Sequence, residues 1–336
     1  MSPSIPLSIL DLAPIGEGIP TPEAMQQTVE LARLGDALGF TRVWYAEHHG
    51  MPSIASAAPE LLIANAAANT KSIRVGSGGI MLLNHRPLRI VEAFRTLEAL
   101  HPGRVDLGIG RAPGGDGYAM QALRSGSGEE FSAYLAELLA FDEGGFPEHH
   151  PFARVPASPG GVHLPPLWLL GSSGASAAAA GELGMGYSFA AHFSPAPAGP
   201  AFDAYRASFR PSAAFPEPRA MIAVSAIVAP TDAEATWLAR SQEVSIALFF
   251  TGHRGPLLSP ESAHAMVLTE QQEAIIEQQR RLWIIGGPET VKAAIMAKVE
   301  ESEADEVMVT TTIHAPAMRL RSYRLLAEAF GLTPRS

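Results

Sequence analysis

Glu47, His48 and His49 stand on consecutive positions in the stretch WYAEHHG, residues 44–50. A carboxylate beside two imidazoles can ligate a metal ion or move protons. The two histidines are poorly placed to chelate one ion, because neighbours on an extended chain point to opposite sides. None of the familiar carboxylate–histidine metal spacings accompanies them. Proton transfer suits them better, since imidazole titrates near neutrality. Alternation along the chain groups Trp44, Ala46 and His48 on one side and Val43, Tyr45, Glu47 and His49 on the other. A single histidine of the pair is therefore expected to face a site while the other supports the loop.

Four more polar or glycine-rich clusters recur along the chain: NHR (84–86), GRAPGGDG (110–117), GSSGAS (171–176) and AHF (191–193). Arg111 in the second can offer a fork of donors to a phosphate or make a surface ion pair. In the third, Gly171, Ser172, Ser173, Gly174 and Ser176 precede an alanine-rich run. Small residues at a helix start expose free amides, and serine hydroxyls add donors, so such an end holds an anion without lysine; an ordinary serine-capped helix reads the same way. The run GSGG (76–79) sits inside a strand pattern, where glycine marks a bulge, a tight corner or a flat ligand against the backbone. GIGRAPGG (108–115) imitates a dinucleotide fingerprint but carries Pro113 where the third glycine belongs, so it is read as a loop. Trp168, His192 and Phe193 are candidates to line a pocket.

These clusters need a frame that brings them together. Short apolar runs at 6–12, 41–47, 73–82, 104–110, 166–171, 186–191, 220–229, 282–287 and 306–312 read as strands. Helical patterns at 22–38, 59–70, 87–100, 174–183, 232–250, 288–302 and 317–330 lie between them, the first with Thr21 as its cap. Alternation of this kind predicts a parallel sheet covered by helices. With about eight strands, an α/β fold of the (β/α)8 TIM-barrel type is expected, an open doubly wound sheet being the alternative. The clusters then fall at the carboxyl ends of strands, where barrels keep their chemistry. The whole chain, 1–336, reads as one domain with inserted segments near 141–165 and 251–282; residues 251–268 read as a long loop suited to a lid.

Composition excludes several classes. Lys and Arg total 24 against 34 Asp and Glu, a net charge of −10, with no basic run. Neither nucleic acid nor an anionic membrane surface is an expected partner. There is no cysteine, hence no disulfide, thiolate metal site or cysteine nucleophile. The N-terminal MSPSIPLSILDL lacks the layout of a signal peptide, and a cytoplasmic location is expected.

Taken in order, LDLAPI (10–15), AEHHGMPSIASAAPELL (46–62), IRVGSGGIMLLNHRPL (73–88), LEALHPGRVDLGIGRAPGGD (97–116), WLLGSSGASAAAAGELG (168–184) and GGPETV (286–291) resemble the bacterial luciferase-like flavin-dependent monooxygenases, in particular their single-chain oxidoreductases. The resemblance spans nearly the whole chain. It implies an eight-stranded barrel with an insertion that uses reduced FMN and molecular oxygen, through a peroxyflavin, to oxidise a small organic substrate. A separate flavin reductase and a homodimer are implied as well. Carried over, the catalytic histidine falls on His48, with His49 beside it and Glu47 in support. A non-prolyl cis peptide under the flavin ring falls on Gly78 and Gly79. Asn84 follows in MLLNH, where the family reads MLPNH. The phosphate-binding residues fall on Arg111, Ser173 and Ser176, with Arg124 as a second phosphate-side arginine. A deazaflavin-dependent hydride-transfer enzyme, a flavin-binding protein without turnover and a metal-dependent barrel hydrolase are the competing readings; no metal is expected.

Overall fold

The computed structural model describes residues 5–334. Its elements run β1 (Leu7–Asp11), α1 (Thr21–Leu38), β2 (Arg42–Tyr45), α2 (Pro59–Asn69), β3 (Arg74–Met81), α3 (Pro87–Leu100), β4 (Val105–Gly110), α4 (Gly117–Leu123), α5 (Phe131–Glu143), β5 (Leu167–Gly171), α6 (Gly174–Glu182), β6 (Gly186–Ala190), α7 (Gly199–Ser208), β7 (Ala220–Val228), α8 (Asp232–Phe250), α9 (Pro260–Ala265), α10 (Glu270–Arg280), β8 (Trp283–Gly286), α11 (Pro288–Ser302), β9 (Glu306–Thr310) and α12 (Pro316–Phe330). Among the described residues no helix is long and apolar enough to cross a membrane.

The strands form one parallel sheet that closes on itself. Seven neighbours run β6-β5-β4-β3-β2-β1-β9; β9 pairs with β7, and β7 returns to β6. Eight strands thus make a closed (β/α)8 barrel, and β8 lies outside the ring. The nine-residue β7 makes room for it: Tyr187–Ala190 of β6 pair with Ala220–Ala223, and Trp283–Gly286 of β8 pair with Ser225–Val228. The expected strand at 282–287 therefore exists but belongs to the insertion.

Strand alternation sorts the side chains. Ile9, Val43, Val75, Leu107, Tyr187 and Val309 face outward into the main core against the helices. Leu10, Trp44, Ala46, Trp168, Met221 and Met308 face inward and fill the barrel. Trp168 meets Trp44 edge to face, centroids 5.6 Å apart, so it is barrel filling and does not line the cavity as the sequence suggested. The amino-terminal end of the barrel is closed by a charge network. Arg42 bonds Asp106 and Glu306 at 2.7 Å each, Arg74 bonds Asp106 at 2.6 Å, and Ser8 donates to Glu306.

Other sequence expectations need correction. Helix α1 begins at Thr21 with Pro20 as its uncapped boundary, so Thr21 is not a cap. Helices α4, α5, α7, α9 and α10 lie outside the helical patterns read from the sequence. The supposed loop 251–268 contains α9, and α10 occupies most of the chain between that loop and β8. Both start on a Ser or Thr cap, Ser259 and Thr269, a signal the sequence did carry.

Candidate active site

Beyond the end of β2 the chain keeps its alternation. Ala46 and His48 line a cavity at the carboxyl end of the barrel, and Glu47 turns the other way into the wall. Glu47 is fully buried and gathers several donors. Its Oε1 meets His49 Nε2 at 2.8 Å, His85 Nε2 at 2.9 Å and Asn84 Nδ2 at 3.2 Å; its Oε2 accepts the Met81 amide at 2.9 Å. Burial alone would raise the Glu47 pKa, but the bonds from His85, His49 and Met81 outweigh it and hold the carboxyl below its ordinary range. The same contact overcomes burial at His85 and raises its pKa. One carboxylate thus ties together the loops after β2 and β3. Asn84 adds the loop after β4 through Pro113 O at 3.0 Å, and accepts from Ser125.

That anchoring leaves His48 held by its backbone: its amide donates to Ser56 O at 2.8 Å, while Nδ1 is buried without a partner. Burial lowers its pKa more than Glu47 raises it, so the ring is neutral at neutral pH. Across the cavity His192 also has an unpartnered Nδ1, and burial pushes its pKa down to about 4.

The peptide Gly78–Gly79 is cis. Gly78 lines the cavity, and a Cβ there would come within 2.7 Å of Leu10 Cδ1. A Cβ on Gly79 would instead lie 2.8 Å from Gly108 O on β4. Glycine at 79 is thus required by strand packing, not by clearance toward the cavity.

Arg111, Gly171, Ser172, Ser173 and Ser176 all lie on the cavity rim. Ser173 is the N-cap of α6 but its side chain makes no capping bond, so the first-turn amides keep their donors free of a side-chain cap. Ser176 Oγ donates to Ser173 O at 2.9 Å and lies 3.1 Å from Tyr187 OH. Arg111 makes no ion pair among the described residues. Gly174 opens α6 without touching the cavity. Arg124 is exposed, forms the left-handed cap of α4 at φ 54° and lies off the rim, so it does not join Arg111. Among the described residues no cluster of three or more His, Cys, Asp or Glu could hold a metal.

The cavity measures about 1440 Å³. Ligand sites usually span about 300–1,000 Å³, so this one has room for a large cofactor and a second molecule together. Sequence reasoning named His192, but took in His85 only as part of the NHR cluster and did not see its contact with Glu47.

Comparison with known proteins places this arrangement. The model of the luciferase-like monooxygenases matches residues 5–306. The chain belongs to that family. It is 39% identical to a luciferase-like monooxygenase of Escherichia coli strain K12, covering 97% of each chain. It is 33% identical to the N-acetyl-S-alkylcysteine monooxygenase of Bacillus subtilis, over 97% of this chain and 98% of that protein. The crystal structure of apo-MsnO8 superposes with a TM-score of 0.87 at 37% identity, covering 99% of both chains. Monooxygenase relatives make this luciferase-like chain an oxidoreductase.

Proposed function

We propose that the protein is a monooxygenase that takes reduced FMN as a cosubstrate and oxidises a small, largely apolar organic molecule. The supporting observation is a single continuous cavity. It joins the rim formed by Arg111 and the Ser172–Ser176 turn, the buried His48 and walls that are mostly apolar. The residues fit the cofactor: Arg111 and the Ser172–Ser176 turn would hold its phosphate, and the backbone at Gly78 would lie against its ring. When bound, reduced FMN supplies the two electrons that split dioxygen, one oxygen atom entering the substrate and the other leaving as water.

The chain's own part is to position and to manage protons. Glu47, fixed by His49, His85 and Asn84, holds the backbone that presents His48. Because His48 is neutral, its ring can accept a proton at the cavity wall and return it. Leu10, Leu12, Met81 and Ile54 line the walls and keep water sparse. Reduced FMN must arrive from elsewhere, so a separate flavin reductase is the expected partner.

The test is titration of the protein with reduced and oxidised FMN, FAD and a deazaflavin coenzyme, followed by oxygen consumption with an added reductase. Reduced FMN should bind more tightly than FAD, since the rim offers one compact phosphate site. Preference for the deazaflavin coenzyme, without oxygen uptake, would assign hydride transfer instead.

A further inference from the structure

The flavin reading accounts for the β4–α6 side of the cavity and leaves the opposite side without a role. There the wall is built from Ser225, where β7 leaves β9 for β8, from Gln242, Ser245 and Ile246 of α8, and from Trp283 and Thr310 at the ends of β8 and β9. Most of the cavity surface is apolar, yet two buried polar atoms here have no partner. Gln242 donates through Nε2 to Ser225 Oγ at 3.3 Å, which turns its Oε1 away unpaired. Ser245 Oγ is unpaired as well. The two residues are three apart on α8, so they sit side by side on one helix face, roughly 5–6 Å apart at Cβ.

Unpaired buried polar groups are costly, and both of these belong to residues that line the same cavity, where a rotation of either side chain would turn its polar group to a ligand. We propose that Gln242 and Ser245 form a substrate subsite for an uncharged molecule bearing a carboxamide, its N–H donated to Gln242 and its carbonyl accepting from Ser245, with an apolar chain directed toward His48. This rests on the flavin reading, which assigns the other half of the cavity to the cofactor. Charge supports the choice of a neutral group. Among the described residues lining the cavity, Arg111 is the one arginine or lysine and Glu182 the one carboxylate. Both belong to the β4–α6 side. A carboxylate or an ammonium seated at Gln242 would be buried without a counter-charge.

Binding of octanamide, octanoate and octylammonium to the full-length protein, with and without FMN, tests the proposal by titration calorimetry at neutral pH. Octanamide should bind at least about tenfold tighter than either charged probe. Gln242→Leu and Ser245→Ala should each weaken octanamide binding by about five- to tenfold, the effect of losing one buried hydrogen bond. FMN affinity should not change in either variant. Equal binding of octanoate or octylammonium overturns the proposal, as does wild-type octanamide affinity in both variants, which would mean that water satisfies the two side chains. If FMN fails to bind while the octanamide preference persists, the flavin reading falls and the subsite stands.

Discussion

The two ends of the barrel treat polar atoms in opposite ways. At the amino-terminal end Arg42, Arg74, Asp106 and Glu306 are paired with one another. At the carboxyl end His48, His192, Gln242 and Ser245 each present a buried polar atom with no partner. Both ends are desolvated, so the contrast is one of satisfaction and not of exposure. A buried polar group that finds its partner within the fold fixes the fold. One that does not, where its residue lines a cavity, is open to a ligand that arrives later, while Trp168 Nε1, beside Arg42, and Ser241 Oγ stay unpaired away from the cavity.

The contrast is sharpest at His48. His48→Ala should leave stability nearly unchanged and slow oxygenation by about 10²–10⁴-fold, the usual worth of an acid–base residue. Stopped-flow product formation and hydrogen peroxide release would measure it. Since the His48 pKa is lowered, the wild-type rate should persist below the ordinary histidine pKa and fall only at more acidic pH. A profile that falls at the ordinary histidine pKa would mean that His48 is not the titrating group.

The opposite end should respond in stability instead of rate. Arg42→Met leaves Glu306 without a cation and Asp106 with Arg74 alone, and should cost about 3–5 kcal/mol in urea unfolding, with flavin affinity kept in the folded fraction. Loss of flavin binding without loss of stability would erase the division between the two ends.

Arg111→Ala should weaken FMN binding by about 1.5–3 kcal/mol, or one to two decades, while unfolding stays unchanged. An unaltered affinity would return Arg111 to the surface. Smallest of all, His85→Gln should flatten the pH dependence of stability. The raised His85 pKa contributes stability that is full below its unfolded value of 6.5 and is lost as pH rises through the folded value. The lowered Glu47 pKa contributes above its unfolded value of 4.5 and is lost as pH falls through the folded one. Together they favour mildly acidic pH, and urea midpoints across that range should show the maximum disappear in the variant.

Much of the frame was legible in the sequence. The strands that close the ring carry their own apolar runs, which mark their positions along the chain. That His48 and His49 point opposite ways was legible for the same reason, because alternation outlasts the last paired residue of β2; alternation did not say which of them meets the cavity. What was not legible depended on distance along the chain. His85 reaches Glu47 across 38 residues, and Gln242 reaches Ser225 across 17, so neither contact leaves a local pattern. The role of Gly79 stayed open for a related reason, although the cis peptide expected at Gly78–Gly79 is there. A glycine needed by a neighbouring strand and a glycine needed by a ligand look identical in one sequence. The inserted helices failed differently: α9 has six residues, too short for periodicity to stand out.

Closure of the ring has a consequence for how the chain is made. Strand β1 pairs with β9, joining Leu7 to Val307 across nearly the whole sequence. During synthesis β1 emerges before the rest of the ring and one of its edges waits until β9 has been made, since ring closure needs that strand. A ribosome stalled before Glu306 should therefore hold a chain that proteases cut throughout β1, whereas one stalled beyond Phe330 should hold a resistant barrel. Strand β1, held on one edge by β2, and strand β7, held by β6, both wait for β9, and that interval is when the nascent barrel most needs a chaperone.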